Sequence, residues 1–180
     1  ENKPLYNQLK YYGSFFDFFA AFVETYLSPF DKFETRHLLN SLFGLMAMVY
    51  AALCAREIGN WRTATFAILL IVLTPQFFGQ SMNNPKDIPF AAGYIFSLYH
   101  MIRFLKQLPN PRKGTILFLI CGIALTNSMR IGGLILLAYL GLFMGLLWLW
   151  QITRKDGLKP VTLMSRYARY FAIIGVCSYF

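Results

Sequence analysis

The chain has 180 residues, of which 57% are hydrophobic, 18% aromatic and 14% charged, with a formal net charge of +9. Soluble domains carry roughly 25% charged residues, so this composition excludes an ordinary soluble core and points to a bilayer-embedded protein. Lys and Arg lie between apolar runs and do not interleave with exposed aromatics, so they set orientation in a membrane and argue against nucleic acid as a partner.

Glu1–Lys10 is polar and reads as a loop. The span Ser14–Leu27 follows a 3.6-residue period: Phe15, Phe19, Phe22 and Tyr26, with Phe16, Val23 and Leu27 beside them, form an aromatic face. Asp17, Ala21, Glu24 and Ser28 fall opposite. Two carboxylates in so short a segment argue for a helix lying in the interface, its aromatic face toward lipid or other helices. Ser28-Pro29-Phe30-Asp31 reads as a helix start, with Ser28 as N-cap and Pro29 at the first helical position.

From His37 to Ala55 there are 19 residues without a formal charge, close to the ~20 that span a hydrocarbon core of ~30 Å. Gly59-Asn60 breaks the helix. Thr63–Pro75 is the next crossing, and Gln76–Asp87 is the link that follows it. Ile88–Leu105 crosses back, lengthened by the snorkelling side chains of Arg103 and Lys106. A basic proline-rich loop over 107–113 precedes a crossing over Gly114–Met129. Ile131–Gln151 is a long apolar helix with Trp148 and Trp150 at its end, as in an aromatic belt. Its Gly141 and Gly145 form a GxxxG, a weak packing signal by itself. Thr153–Arg169 reads as a basic loop, and Tyr170–Phe180 begins a further span.

The fold class expected is therefore all-α, a polytopic transmembrane helix bundle with an N-terminal interfacial amphipathic helix. It has five crossings and a truncated sixth. The chain lacks an initiator Met and stops in an apolar run, which predicts a fragment of a longer protein. Residues 1–180 read as a single membrane-embedded domain: an outer-face loop and interfacial helix over 1–35, then membrane helices over 36–180. Strict alternation puts residues 55–62, 103–114 and 152–169 on one side, with eleven Lys/Arg against Glu57 and Asp156. The other side balances six Lys/Arg with six acids. The positive-inside bias makes the first side cytoplasmic.

The opposite, outer side then holds the link Gln76–Phe90, with Asn83, Asn84, Lys86 and Asp87 between Pro75 and Pro89. Asp87 has two readings: N-cap of a helix beginning at Ile88, or a chemical group that orients an acceptor hydroxyl or a cation. Lys86 is a solvated neighbour or a phosphate contact. Asn83 and Asn84 bond substrate hydroxyls or shape the turn. Arg130 interrupts an apolar stretch, and such a group faces a cavity, a partner or an anionic ligand, or else ends one helix and starts the next. Arg36 and His37 anchor a helix among headgroups or line the same site. His100 reads as a packing residue. Cys54, Cys121 and Cys177 lie in apolar segments without a CxxC, as structural thiols. No HExxH, Walker loop or GxSxG occurs, so soluble hydrolase, kinase and redox classes lack support.

The order of these pieces carries a resemblance. An Arg opens the helix RHLLNSLFGLMAMVY, a Gly-containing link follows, and Pro stands before the link to NNPKDIPF. An aliphatic-aromatic run then ends in Arg, and GIALTNSMR closes the next helix. The chain resembles the polytopic lipid-linked-sugar glycosyltransferases of the GT-C class, of the dolichyl-phosphate-mannose protein mannosyltransferase and aminoarabinose-transferase type. The resemblance implies an integral, multi-pass enzyme of the bacterial cytoplasmic membrane. It would move a sugar from a polyprenyl-phosphate donor to a protein, lipid or glycan acceptor at the outer face.

It also implies lipid-phosphate binding by Arg36, Lys86 and Arg130; the residues' own functional reading adds Asp87 as the catalytic candidate and Asn83, Asn84 and His37 as substrate contacts. The family's main catalytic carboxylate would lie on an outer loop upstream of Glu1. No metal ligands are assigned, and a divalent metal stays open as a cofactor. Two alternatives remain: a transporter or lipid flippase, which would show an internal repeat or broken helices, and a non-catalytic membrane scaffold subunit.

Overall fold

Helix periodicity and the breakers between apolar runs predict most of the helices in the computed structural model, which describes residues 13–153 and 160–179. In chain order these are α1 (Phe15–Tyr26), α2 (Lys32–Ile58), α3 (Trp61–Val72), α4 (Pro75–Asn83), α5 (Asp87–Gln107), α6 (Lys113–Met129), a single 3-10 turn at Ile131–Gly133, α7 (Leu134–Thr153) and α8 (Pro160–Tyr179). No strand occurs among the described residues. The loop expected over Glu1–Lys10 lies outside them, as do residues 154–159 of the expected basic loop.

At a rise of ~1.5 Å per residue, the 27 residues of α2 make it about 40 Å long, more than a hydrocarbon core of ~30 Å requires. Leu38, Leu42, Leu45 and Val49, spaced three and four apart, stay exposed along one side of it. α7 exposes Leu142, Phe143, Leu146 and Leu149 in the same way. Continuous exposed apolar faces of this size are membrane surface. Three helices are long and apolar enough to cross: α2, α5 and α7 with its preceding 3-10 turn; α3 and α4 together make a fourth if the bent pair is one span. The chain is a multi-pass membrane protein. Of the further crossings expected, α6 is a shorter apolar helix of 17 residues.

The third expected crossing is broken. α3 and α4 meet at 69° around Leu73-Thr74, because Pro75 has no N–H to donate and would clash with the carbonyl one turn earlier. Pro75 instead starts α4 at its first position. The segment read as a link is thus largely helix, and the true connection is Asn84–Lys86. A second correction concerns the start of α2. Asp31, not Ser28, is its N-cap, and Pro29 stays outside the helix. The Ser28 hydroxyl is held 2.6 Å from Thr35 Oγ1 and accepts the Phe30 N–H, so Ser28 closes a turn ahead of the helix. A third is α8, which begins at Pro160 and takes in residues 160–169 of the expected loop.

The Gly59-Asn60 break is as expected. Asn60 Oδ1 accepts the Thr63 N–H at 3.1 Å and Thr63 Oγ1 accepts the Asn60 N–H, a reciprocal capping box. A Cβ at position 59 would lie 2.5 Å from Thr63 Oγ1, so the tight turn needs glycine there.

The main core is built by α5 to α8 around Phe104, Leu119, Ile123, Leu136, Leu140 and Ile174. α5 and α6 approach closely because Gly93 and Gly122 face Thr126 and Ser97 across the contact. α2 lies along α5, with Tyr50 edge-on to Phe96 at 4.8 Å. His100 is buried beside Tyr50, Phe96, Tyr99 and Phe118, the packing role expected of it. In the GxxxG, Gly141 meets the Phe171 ring of α8, and among the described residues nothing lies within 4 Å of a Cβ at Gly145.

α1 is amphipathic, and its aromatic face divides between helix contact and exposed surface. Phe16 and Ala20 pack with Val23 against Leu39 and Phe43 of α2, while Phe22 and Tyr26 remain exposed. Glu24, assigned to the water face, is nearly buried at 10% side-chain exposure. It can be so because α2 brings a cation to it.

Candidate functional site

The starts of α1, α2 and α5 and the ends of α4 and α6 come together at one end of the bundle, where Arg36, His37, Asn83, Asn84, Lys86, Asp87 and Arg130 lie. The Asn84–Lys86 connection is organised by one side chain. Asn84 Oδ1 accepts the N–H groups of Lys86 and Asp87 at 3.3 and 3.0 Å. Its Nδ2 donates to Gln80 Oε1 and to Asp87 Oδ2 at 2.9 and 2.8 Å. Both halves of the amide are used within the turn, which is the turn-shaping alternative for this residue. Asp87 is itself the first residue of α5 and does not N-cap a helix at Ile88; Asn84 binds the free N–H groups instead. That leaves the Asp87 carboxylate to face outward from the cap.

It faces Arg130. Arg130 follows α6 in extended conformation, and its guanidinium lies 2.5 Å from Asp87 Oδ1 and 5.7 Å from the Phe90 ring. The pair is partly exposed, so it acts near solvent and is open to exchange with another anion. Lys86 stands next in sequence and lines a cavity of about 150 Å³ with Asp17, Phe16, Pro89 and Met129.

Arg36 makes the second ion cluster. Its Nε is 2.6 Å from Glu24 and its NH1 is 3.3 Å from Asp17. Sequence periodicity placed both acids toward water. Their role as partners of Arg36 was hidden because it depends on α1 folding back on α2 across the turn at 28–31, which no local period encodes. Arg36 also lines a second cavity, about 280 Å³, with Phe33, His37, Asn40, Met82 and Asn83. His37 donates through Nδ1 to the Met82 carbonyl at 2.7 Å and packs edge-on to Phe33. Asn83 ends α4 at the rim.

Pro85 borders both cavities, and the Asp17–Arg36 pair spans from one lining to the other. So the structure brings Asp87 and Arg130 into contact, sets Lys86 beside them, and places Arg36, His37 and Asn83 around the neighbouring cavity. Two residues went unnoticed in the sequence. Asn40 is fully buried on α2, where a lone Asn within a membrane-length apolar run was the available signal. Asn127 has both amide atoms buried without partners, close against Gly133. Among the described residues no three His, Cys, Asp or Glu side chains converge as metal ligands.

Apolar spans closed at one end by ion pairs and paired cavities define a multi-pass membrane protein with a polar site at its helix ends. The chain belongs to the dolichyl-phosphate-mannose-protein mannosyltransferase family, whose model matches residues 16–165. This is a family of membrane glycosyltransferases. Comparison with curated proteins and with solved structures returns no match.

Proposed function

We infer that the chain is the part of a membrane glycosyltransferase that grips a polyprenyl-phosphate sugar donor and presents it to an acceptor at the outer face. The observation that carries this reading is the Asp87–Arg130 ion pair, with Lys86 next to it in sequence and lining the neighbouring cavity, in a chain of this family. Glycosyl transfer breaks the bond between the anomeric carbon and the phosphate oxygen, and negative charge collects on the departing phosphate. Fixed cations at a poorly hydrated site stabilise that charge. Arg130 has five N–H donors in a planar fork, enough to hold a carboxylate and a phosphate oxygen together. Lys86 adds a point charge.

The acceptor oxygen attacks the anomeric carbon and loses its proton to a carboxylate acting as general base. Asp87 is that base in this chain, unless a carboxylate from outside residues 1–180 takes the role and Asp87 orients Arg130. Arg36, paired with Glu24 and Asp17, lines the second cavity and supports the donor's path. The outer face is assigned from the charge asymmetry of the loops.

The test is transfer from a polyprenyl-phosphate sugar by the full-length protein in proteoliposomes. Arg130→Gln and Lys86→Gln should each reduce transfer at subsaturating donor roughly ten- to a hundredfold, the loss of one charge-assisted contact. Arg130→Lys should restore part, keeping charge without the fork. Wild-type turnover in both Gln variants would reject the phosphate site. One observation favours a transporter instead: the broken α3–α4 span. Uptake of the lipid-linked sugar without transfer would decide for that reading.

A further inference from the structure

We propose that the end of the bundle opposite the Asp87–Arg130 pair is a docking surface for anionic phospholipid, with Arg56, Arg62, Lys113 and Arg169 as its headgroup contacts. This surface does not depend on the transferase reading. Each of the four cations is exposed and continues a stripe of exposed apolar residues on its own helix. On α2 the stripe of Leu38, Leu42, Leu45 and Val49 reaches Arg56 two turns later. On α3 Arg62 leads to Phe66, Leu69 and Leu70, on α6 Lys113 leads to Leu117, and on α8 Arg169 leads to Ile173 and Val176. Steps of three, four and seven keep residues on one face of a helix. The cations therefore stand over surface that lipid tails cover, not over the interior of the bundle. In α3, α6 and α8 the cation lies N-terminal to its stripe, and helical side chains lean that way, so it reaches out of the hydrocarbon toward the headgroups. The other end of the α2 stripe differs: Glu34 stands one turn before Leu38.

The protein itself does not neutralise this charge. Among the described residues Glu57 is the acid at this end, and its carboxylate is 3.0 Å from Lys106 Nζ. The Arg56 guanidinium lies over the Trp61 ring at 4.1 Å, and Trp61 is 65% exposed. An arginine stacked on an exposed indole suits the boundary between headgroups and acyl chains. Arg62 and Lys113 sit in the first turns of α3 and α6, which hold no acid. Cations there oppose the helix dipole unless an anion answers them. The partner must thus bring negative charge directly above apolar surface. An anionic phospholipid offers both in one molecule. A soluble acidic protein does not, because the stripes below Arg62 and Lys113 continue into the bilayer.

The experiment places the full-length protein in phosphatidylcholine bilayers with a trace of spin-labelled phosphatidylglycerol or spin-labelled phosphatidylcholine. Electron paramagnetic resonance reads the fraction of each probe held at the protein surface. Wild type should hold the phosphatidylglycerol probe roughly two- to fivefold more strongly, the range that exposed ion pairs supply. Raising salt from about 0.1 to about 1 M shortens the Debye length from ~10 to ~3 Å and should bring the ratio close to one. Arg56→Gln, Arg62→Gln, Lys113→Gln and Arg169→Gln combined should remove most of the preference. Arg56→Lys, Arg62→Lys and Arg169→Lys combined should keep it, and so should Lys32→Gln at the other end. Equal association of the two probes with wild type overturns the proposal and leaves the patch to an acidic protein. A preference that survives the four Gln changes, or high salt, overturns it as well. Should the quadruple variant fail to insert, the salt titration decides, together with Arg62→Gln and Lys113→Gln as single changes that each lower the ratio.

Discussion

Arg130 closes on Asp87 at 2.5 Å and so ties the end of α6 to the start of α5. The pair is partly exposed, and ion pairs of that kind contribute about 0.2–1 kcal/mol. Asp87→Asn should therefore cost less than ~1 kcal/mol of stability, because Asn84 keeps the N–H groups of Lys86 and Asp87 bonded and the start of α5 intact. A large loss of sugar transfer at an unchanged thermal midpoint would mark Asp87 as chemical. Activity equal to wild type would reduce it to a partner of Arg130.

Arg36 and Glu24 behave differently because Glu24 is nearly buried. Arg36→Gln leaves a desolvated carboxylate without its cation and should destabilise by about 1–3 kcal/mol. Glu24→Gln in the same protein should recover part of that loss, since a neutral amide needs no counter-charge. A double-mutant cycle on unfolding measures the coupling. Additive losses would show that Arg36 does not hold α1 to α2.

Glycine at the α5–α6 contact should matter where glycine in the GxxxG does not. A Cβ at Gly122 would lie 2.6 Å from Ser97 Oγ and 2.7 Å from a Phe96 ring carbon. Gly122→Ala should cost about 1–3 kcal/mol through overpacking. Gly145→Ala meets nothing within 4 Å and should be neutral or mildly stabilising. Equal thermal midpoints for the two variants would contradict this packing.

Sidedness is open to direct chemistry. With the native cysteines replaced, a cysteine at Gly79 should react with an impermeant thiol reagent in intact cells, while cysteines at Asn110 or Arg112 should be shielded. Gly79 has open space around it, whereas nearby Ser81 is buried against Gly44 and would report burial instead of side. Reversed labelling would put the Asp87–Arg130 site in the cytoplasm.

Periodicity was enough to find α1, α2, α5, α6 and α7, because membrane-length apolar runs and Gly or Pro breakers are local signals. It missed α4, because Gln76, Gln80, Asn83 and Asn84 look like a link when counted by polarity. It also could not separate Phe16 from Phe15 and Phe19 as the anchor of α1. All three are aromatic, and which of them is buried depends on where Leu39 and Phe43 sit.

The amino-acid order by itself determined that this chain is helical, that it lives in a bilayer, and that Arg36, Lys86–Asp87 and Arg130 stand at the ends of apolar runs on the side with few basic residues. Those properties follow from hydrophobicity and from the desolvation of backbone groups, which each segment feels alone. Which charges meet was decided only by the tertiary structure. Arg130 finds Asp87 because α5 and α6 run side by side in close contact. Arg36 finds Glu24 because α1 folds back on α2. Asn40 acquires a buried, unanswered carbonyl only because the end of α4 covers it. Ion pairing and burial are properties of distance between segments, and no local pattern in the chain encodes that distance.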